Sequence, residues 1–237
     1  MGKNTTIVIG VGAEQGIGFQ TAKKFHLEGH QVYLAGRDRQ RLAQHAETLN
    51  GHAIALDATN PDAVNAAFAA LPSLDCIVHN VGTNIHKNFI DMDAAFFESM
   101  WRSNSLTAFN VARAASERLL AQGRGSIFFT SASAAMRGKP GFAAFAAGRG
   151  GNRLMIQALA KELGPKNIHV AHLIIDAGVN TEFVRDRLRK AGTNPDHLPP
   201  DTLMNPSSIA EAYWNLHHQQ RDGWTHELDI RPYAEKW

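Results

Sequence analysis

Six short apolar runs recur along the chain, each followed by a longer stretch of helical period, and this alternation constrains the fold more than any other feature. The runs are Thr6-Ile7-Val8-Ile9, Val32-Tyr33-Leu34-Ala35, Ala53-Ile54-Ala55-Leu56, Cys76-Ile77-Val78, Ile127-Phe128-Phe129 and Val170 to Ile175. They are apolar throughout rather than alternating, the pattern of parallel strands covered on both faces. The helical segments between them carry clear punctuation. Leu42, Ala46 and Leu49 repeat at helical spacing after Arg39, and Asn60 is placed to cap a helix with Pro61 at its first position and Asp62 in its first turn. Repeated strand–helix–strand units predict an α/β fold, a doubly wound parallel sheet with helices on both faces, over residues 1–237 as a single domain. Glu227 to Ile230 predicts a short closing edge strand. The least regular stretch, 181–206, holds Pro195, Pro199 and Pro200 and reads as a loop over the strand ends, expected to cover a substrate.

Composition excludes several partners. Lys and Arg number 24 against 22 Asp and Glu, a formal net charge of +2, with no basic stripe to suit a nucleic acid. No apolar run approaches the roughly 18 residues needed to span a bilayer. The N-terminus lacks the apolar core of a signal peptide, although Gly2 followed by Thr6 fits a loose myristoylation pattern. Thr5 and Thr6 are more simply read as the start of a strand. The one cysteine, Cys76, has no internal partner for a disulfide, which points to a reducing, cytoplasmic setting. The 12 histidines suggest no metal centre: Gly29 separates His26 from His30, and His169/His172 and His217/His218 have no carboxylate in a ligand pattern.

The first run leads into Gly10-Val11-Gly12-Ala13-Glu14-Gln15-Gly16-Ile17-Gly18 and then a helix. Strand, glycines and helix in that order make a pyrophosphate site. The glycines let the backbone approach, and the helix N-terminus offers N–H groups and a favourable dipole. Gly12, Gln15, Gly16, Ile17 and Gly18 are therefore the expected phosphate-loop contacts, and the fold is of Rossmann type. With the spacing Gly12-x-x-x-Gly16-x-Gly18, the chain resembles the short-chain dehydrogenase/reductase family over nearly its whole length. That resemblance places Asp57 and Ala58 at the adenine. It matches His79-Asn80-Val81-Gly82 to the family's motif after the fourth strand, so Asn80, Val81 and Gly82 are cofactor contacts, as are Gly178 and Thr181 after the sixth strand. At the cofactor's 2′ position Gly36 stands where an acid would select NAD(H), and Arg37 follows. A guanidinium pairs well with phosphate, so NADP(H) is expected over NAD(H). Asp38, the next residue, offers the plainer alternative of a surface ion pair with Arg37.

The resemblance also implies four groups around the nicotinamide: Asn, Ser, Tyr and Lys. Asn104 matches intact. The tyrosine position is Phe145, the lysine position is Arg149, and the serine position, thirteen residues before Phe145, is Ala132. Phe145 keeps an aromatic wall for substrate but has no proton to give. Arg149 can hold the cofactor's ribose but cannot relay a proton. Ser131 and Ser133 flank Ala132, and in an extended strand both point away from its face unless the following turn rotates one into the site. His86 lies on a loop expected near the nicotinamide. Three readings follow: an NADPH-dependent reductase using Ser131, Ser133, His86 or water as donor; an enzyme whose substrate supplies its own acid or needs none; and a catalytically silent dinucleotide-binding sensor or subunit. The first two share a small carbonyl or hydroxyl compound as substrate.

The segment after Phe142 is lined with Ala143, Ala144, Ala146, Ala147, Gly148, Gly150 and Gly151. The family often pairs such helices between subunits, which implies a homodimer or homotetramer. The C-terminal Tyr233 and Trp237 are expected to pack at an oligomer contact or over a site.

Overall fold

A computed structural model of the chain describes residues 4–234. Its strands are β1 (Thr5–Ile9), β2 (Gln31–Gly36), β3 (His52–Ala55), β4 (Cys76–His79), β5 (Gly125–Ala132), β6 (Ile168–Ile175) and β7 (Glu227–Ile230). All pair in parallel in one seven-stranded sheet of order β3-β2-β1-β4-β5-β6-β7. The order reverses between β1 and β4, which opens a crevice above their carboxyl ends. The helices are α1 (Ile17–Leu27), α2 (Arg39–Thr48), α3 (Pro61–Ala70), α4 (Ala94–Trp101), α5 (Thr107–Gln122), α6 (Ala143–Leu163), α7 (Glu182–Lys190) and α8 (Pro206–His217).

Both faces of the central strands are dry, which is why β1, β4 and β6 read as apolar runs, whereas the edge strand β3 is mostly exposed. Ile7, Ile9, Ile77 and Phe129 pack with Val111 of α5 and Ile156 of α6 on one face. Val8, Val78 and Phe128 pack with Phe19 and Phe25 of α1 and Tyr213 of α8 on the other. Asn60 caps α3 by accepting from the Asp62 and Ala63 amides, with Pro61 at the first turn. Gly29 at φ +90 ends the turn after α1 and keeps His26 apart from His30, whose Nδ1 meets Thr6 Oγ1 at 2.8 Å.

The stretch 181–206 differs from expectation in holding a regular helix. Thr181 caps α7 by accepting from the Val184 amide, Glu182 sits in the first turn, and Arg187, Arg189 and Lys190 sit in the last. Those charges complement the helix dipole, and the prolines all lie beyond its end. A bridge between Val179 and Met204 ties the two ends of the excursion together. After β7 the chain is held by Arg231, whose guanidinium lies 3.2 Å from the buried Asp176 carboxylate. Tyr233 is 84% exposed and covers no site of its own chain. Gly2 and Trp237 lie outside the described residues. No helix among the described residues is long and apolar enough to cross a membrane.

Several histidines are buried uncharged within this frame. Burial pushes His79 and His217 down to about 3 and His172 to about 4. In the unfolded chain each titrates near 6.5. Below that pH the unfolded state binds protons that the folded state does not. Stability is therefore full above about pH 6.5 and declines as pH falls toward the folded values. The expected thermal midpoint drops steeply below about pH 6, each histidine removing up to roughly 1.4 kcal/mol per pH unit. A midpoint that holds level down to about pH 5 in a scanning-calorimetry series contradicts this.

Candidate active site

A cavity of about 310 Å³ lies above β1, β2 and β4 and receives the glycine loop on one wall. Gly10 turns the chain out of β1 at φ +98, and a Cβ there would lie 2.6 Å from the Asn80 carbonyl carbon and oxygen. A Cβ on Gly18 would lie 2.7 Å from the Gly10 oxygen. These contacts press the loop against the end of β4, where Asn80 Nδ2 donates to the Gly10 carbonyl at 3.1 Å. Gly16 starts α1 without a side-chain cap, so the first N–H groups of the helix stay available to an anion. Gly12 lines the cavity, whereas Gln15 sits on the exposed tip of the loop and lines neither this cavity nor the next.

The far end of this cavity carries Arg37, Arg41, Asp57 and Ala58. Asp38 is engaged elsewhere: it caps α2 by accepting from the Arg41 amide at 3.0 Å and pairs with the Arg41 guanidinium at 3.2 Å. Arg37 has no carboxylate within ion-pair distance among the described residues. Arg41 is a cavity residue that sequence reasoning missed, although its place three residues after the capping Asp38 was a usable signal. Both the amide (2.9 Å) and the hydroxyl (2.8 Å) of Thr59 donate to one Asp57 oxygen. They hold that carboxyl below its usual range, with a smaller contribution from Arg37.

A second cavity of about 290 Å³ opens over β4, β5 and β6 and shares Asn80 and Gly82 with the first. Arg149 reaches its wall from α6. The side chain is 7% exposed, and its guanidinium donates to the Thr130 carbonyl at 2.8 Å and the Val81 carbonyl at 3.3 Å. No carboxylate pairs with it among the described residues. Burial lowers its pKa to about 10, which leaves it charged at neutral pH. Gly82 is what makes room: a Cβ there would lie 1.9 Å from an Arg149 terminal nitrogen.

Asn104 is fully buried in a π-turn, Arg102–Leu106, between α4 and α5. Its Nδ2 donates to the Met100 (2.9 Å) and Thr83 (3.0 Å) carbonyls, and its Oδ1 accepts from the Thr83 amide at 3.3 Å. The wider turn frees its own carbonyl to accept from Asn152 at 2.8 Å. Both ends of the side chain are thus spent on tying β4's loop to the helices.

Phe145 is 6% exposed and packs with Met100, Phe142 and Ala144, while Ala132 rests on the same apolar cluster. The Arg149 guanidinium lies 5.3 Å from the Phe145 ring centre. The two flanking serines part ways. Ser131 lines the second cavity with a buried hydroxyl that has no partner. Ser133 opens the turn after β5 and spends its hydroxyl on Asp176. His86 packs edge-on against Phe142 at 5.3 Å and lines neither cavity. Thr181 lines the second cavity, and Gly178 keeps the backbone close to Leu203, 2.9 Å from where a Cβ would stand. Asn84 and Val184 also line it and were missed, since neither belongs to a motif. Among the described residues no group of three or more His, Cys, Asp or Glu is placed to hold a metal.

Known proteins share this frame. The chain is 29% identical over 222 residues to the 3-oxoacyl-(acyl-carrier-protein) reductase FabG of Chlamydia trachomatis, covering 88% of each chain. A crystal structure of a short-chain dehydrogenase from Rhodopseudomonas palustris matches with a TM-score of 0.80 and 36% identity, over 97% of this chain and 99% of that one. The closed form of a serine dehydrogenase complexed with NADP+ has a TM-score of 0.88 at 21% identity, a likeness of fold, covering 98% of this chain and 96% of that one. The family model described as short chain dehydrogenase matches residues 6–191, from β1 to the end of α7. On that match the chain belongs to the short-chain dehydrogenase family.

Proposed function

We propose that the protein is an NADP(H)-binding short-chain oxidoreductase with a non-standard centre, acting on a small carbonyl or hydroxyl compound. The observation that carries this reading is the pair of adjoining cavities that share Asn80 and Gly82. One is suited to a dinucleotide's phosphates and adenine, and the other to its reactive ring and a substrate. The glycine loop and the α1 N-terminus would hold the pyrophosphate, Asp57 the adenine, and Arg149 the nicotinamide ribose. When bound, such a cofactor supplies or accepts a hydride. The chain's own residues bind, orient and exclude water; Phe145 and Ala132 present only carbon where the family resemblance expects a proton donor and its partner.

Arg37 supports NADP(H) over NAD(H), since Asp38 is already taken by Arg41 and leaves the Arg37 guanidinium for a 2′-phosphate. Structural neighbours bound to NADPH or NADP, an actinorhodin polyketide ketoreductase and a metagenomic short-chain oxidoreductase, favour the same choice. Fluorescence titration is expected to give NADPH a roughly 10- to 100-fold advantage over NADH, and Arg37→Ala to remove most of it. A preference that survives Arg37→Ala would assign the phosphate to other groups.

The oxidoreductase reading is tested by NADPH oxidation against a panel of carbonyl compounds. Binding without turnover favours the second reading, a silent dinucleotide-binding sensor or subunit, which the carbon-only Phe145 and Ala132 specifically support. A homodimer or homotetramer in the cytoplasm completes the proposal; light scattering that returns a monomer removes the first part.

A further inference from the structure

Six polar side chains line the second cavity, and they divide evenly by what they already do. Asn80 donates to the Gly10 carbonyl at 3.1 Å, and Thr130 shares a 2.7 Å hydrogen bond with the Tyr213 hydroxyl. Thr181 accepts from the Val184 amide at 3.4 Å while capping α7. The other three each keep one buried atom without a partner: Ser131 Oγ, Asn84 Oδ1 and Arg149 Nε. Ser131 is 5% exposed and Arg149 7%. A buried polar atom left unsatisfied is costly to the fold. Three such atoms among the residues that line one cavity mark a place where something else completes the bonds.

Their chemistry is not uniform. Ser131 and the charged Arg149 are donors, suited to one oxygen that gains negative charge. Asn84 Oδ1 can only accept, so it calls for an O–H or N–H on the same ligand. The remaining wall, including Ile17, Ile175 and Val184, is apolar.

We propose that the second cavity recognises a hydroxycarbonyl compound with an apolar remainder, its carbonyl oxygen against Ser131 and Arg149 and its neighbouring hydroxyl on Asn84. This rests on the reading of the cavity as the substrate side of a dinucleotide site, and it makes Asn84 a specificity-determining residue. The reduced partner of such a compound, a diol, fits the same donors and acceptor.

The test is an equilibrium titration of α-hydroxyacetophenone and of acetophenone, which lacks the hydroxyl, into protein saturated with NADP+. The wild type is expected to bind the hydroxy compound about tenfold tighter, the worth of one added neutral hydrogen bond. Asn84→Ala should bring the two ligands within about twofold, Asn84→Asp should keep the preference, and Ser131→Ala should weaken both alike. Equal affinities in the wild type, no binding of either ketone, or a preference that persists in Asn84→Ala overturns the proposal. So does a loss of NADP+ affinity in Asn84→Ala with the ligand ratio unchanged, because Asn84 then serves the cofactor's carboxamide. Failure of the wild type to bind NADP+ is a separate signal and overturns the dinucleotide reading as well.

Discussion

Phe145→Tyr is expected to raise the rate of NADPH oxidation with carbonyl substrates by roughly 10²-fold or more, the usual worth of a positioned general acid. The ring lines neither cavity itself but stands behind the second one: it is 6% exposed, packed among Met100, Phe142 and Ala144, and 5.3 Å from the guanidinium of Arg149, which lines that cavity with Ala132. A phenol at that position gains a neighbouring cation, which favours its ionised form and eases proton release. Because Ala132 packs on the same cluster, adding Ala132→Ser should increase the gain further by supplying a second hydrogen bond to the substrate. Steady-state absorbance assays over the carbonyl panel decide the matter, with NADPH affinity measured in parallel. A rate unchanged while affinity is preserved means that position 145 does not reach the reacting carbonyl. A wild type already fast, and slowed by the tyrosine, means that the chain draws its proton from elsewhere.

Gly10→Ala is expected to lower stability by about 3 kcal/mol and to abolish dinucleotide binding. Two costs combine at this position. The backbone holds φ +98, which an alanine adopts only with strain, and the added methyl would meet backbone atoms of Asn80 at 2.6 Å. Neither the β1 turn nor the end of β4 can move aside, because the Asn80 amide donates to the Ile9 carbonyl at 2.7 Å. For a chain of this size the thermal midpoint should fall by roughly 10 °C. Gly12→Ala is the control, as nothing lies within 4 Å of its absent Cβ. That variant should keep the midpoint and lose affinity only through contact with the dinucleotide itself. Equal midpoints for the two variants would refute the close packing of Gly10.

The sheet was legible because its signal is local and repeated. Ile7 and Ile9 face one core and Val8 the other, so two dry faces write themselves as one apolar run. Asn60-Pro61-Asp62 announced α3 for the same reason, with cap, fixed φ and charge all adjacent in sequence. The helix in 181–206 was hidden because α7 has no buried residue. Its apolar face is reduced to the half-buried Val184 and Leu188, one turn apart, while Thr181 caps it and Arg189 bonds to Glu182 and Asp186 on the outside. The choice between Ser131 and Ser133 was likewise illegible. It depends on where β5 ends and on Asp176, more than forty residues downstream, claiming one hydroxyl. Asn84 was missed because a cavity wall is assembled in three dimensions and leaves no spacing to read, whereas Arg41 stood three residues after Asp38 and could have been found.

Gly82 and Arg149 constrain how this chain can change. The guanidinium occupies the volume that a side chain at position 82 would need, for a Cβ there would stand 1.9 Å from its terminal nitrogen. A methyl at 82 requires the far end of Arg149 to withdraw, and it would still stand 2.9 Å from Asn104 Oδ1 after position 149 had shortened. Positions 82, 104 and 149, though far apart in sequence, are therefore free to change only in step with one another.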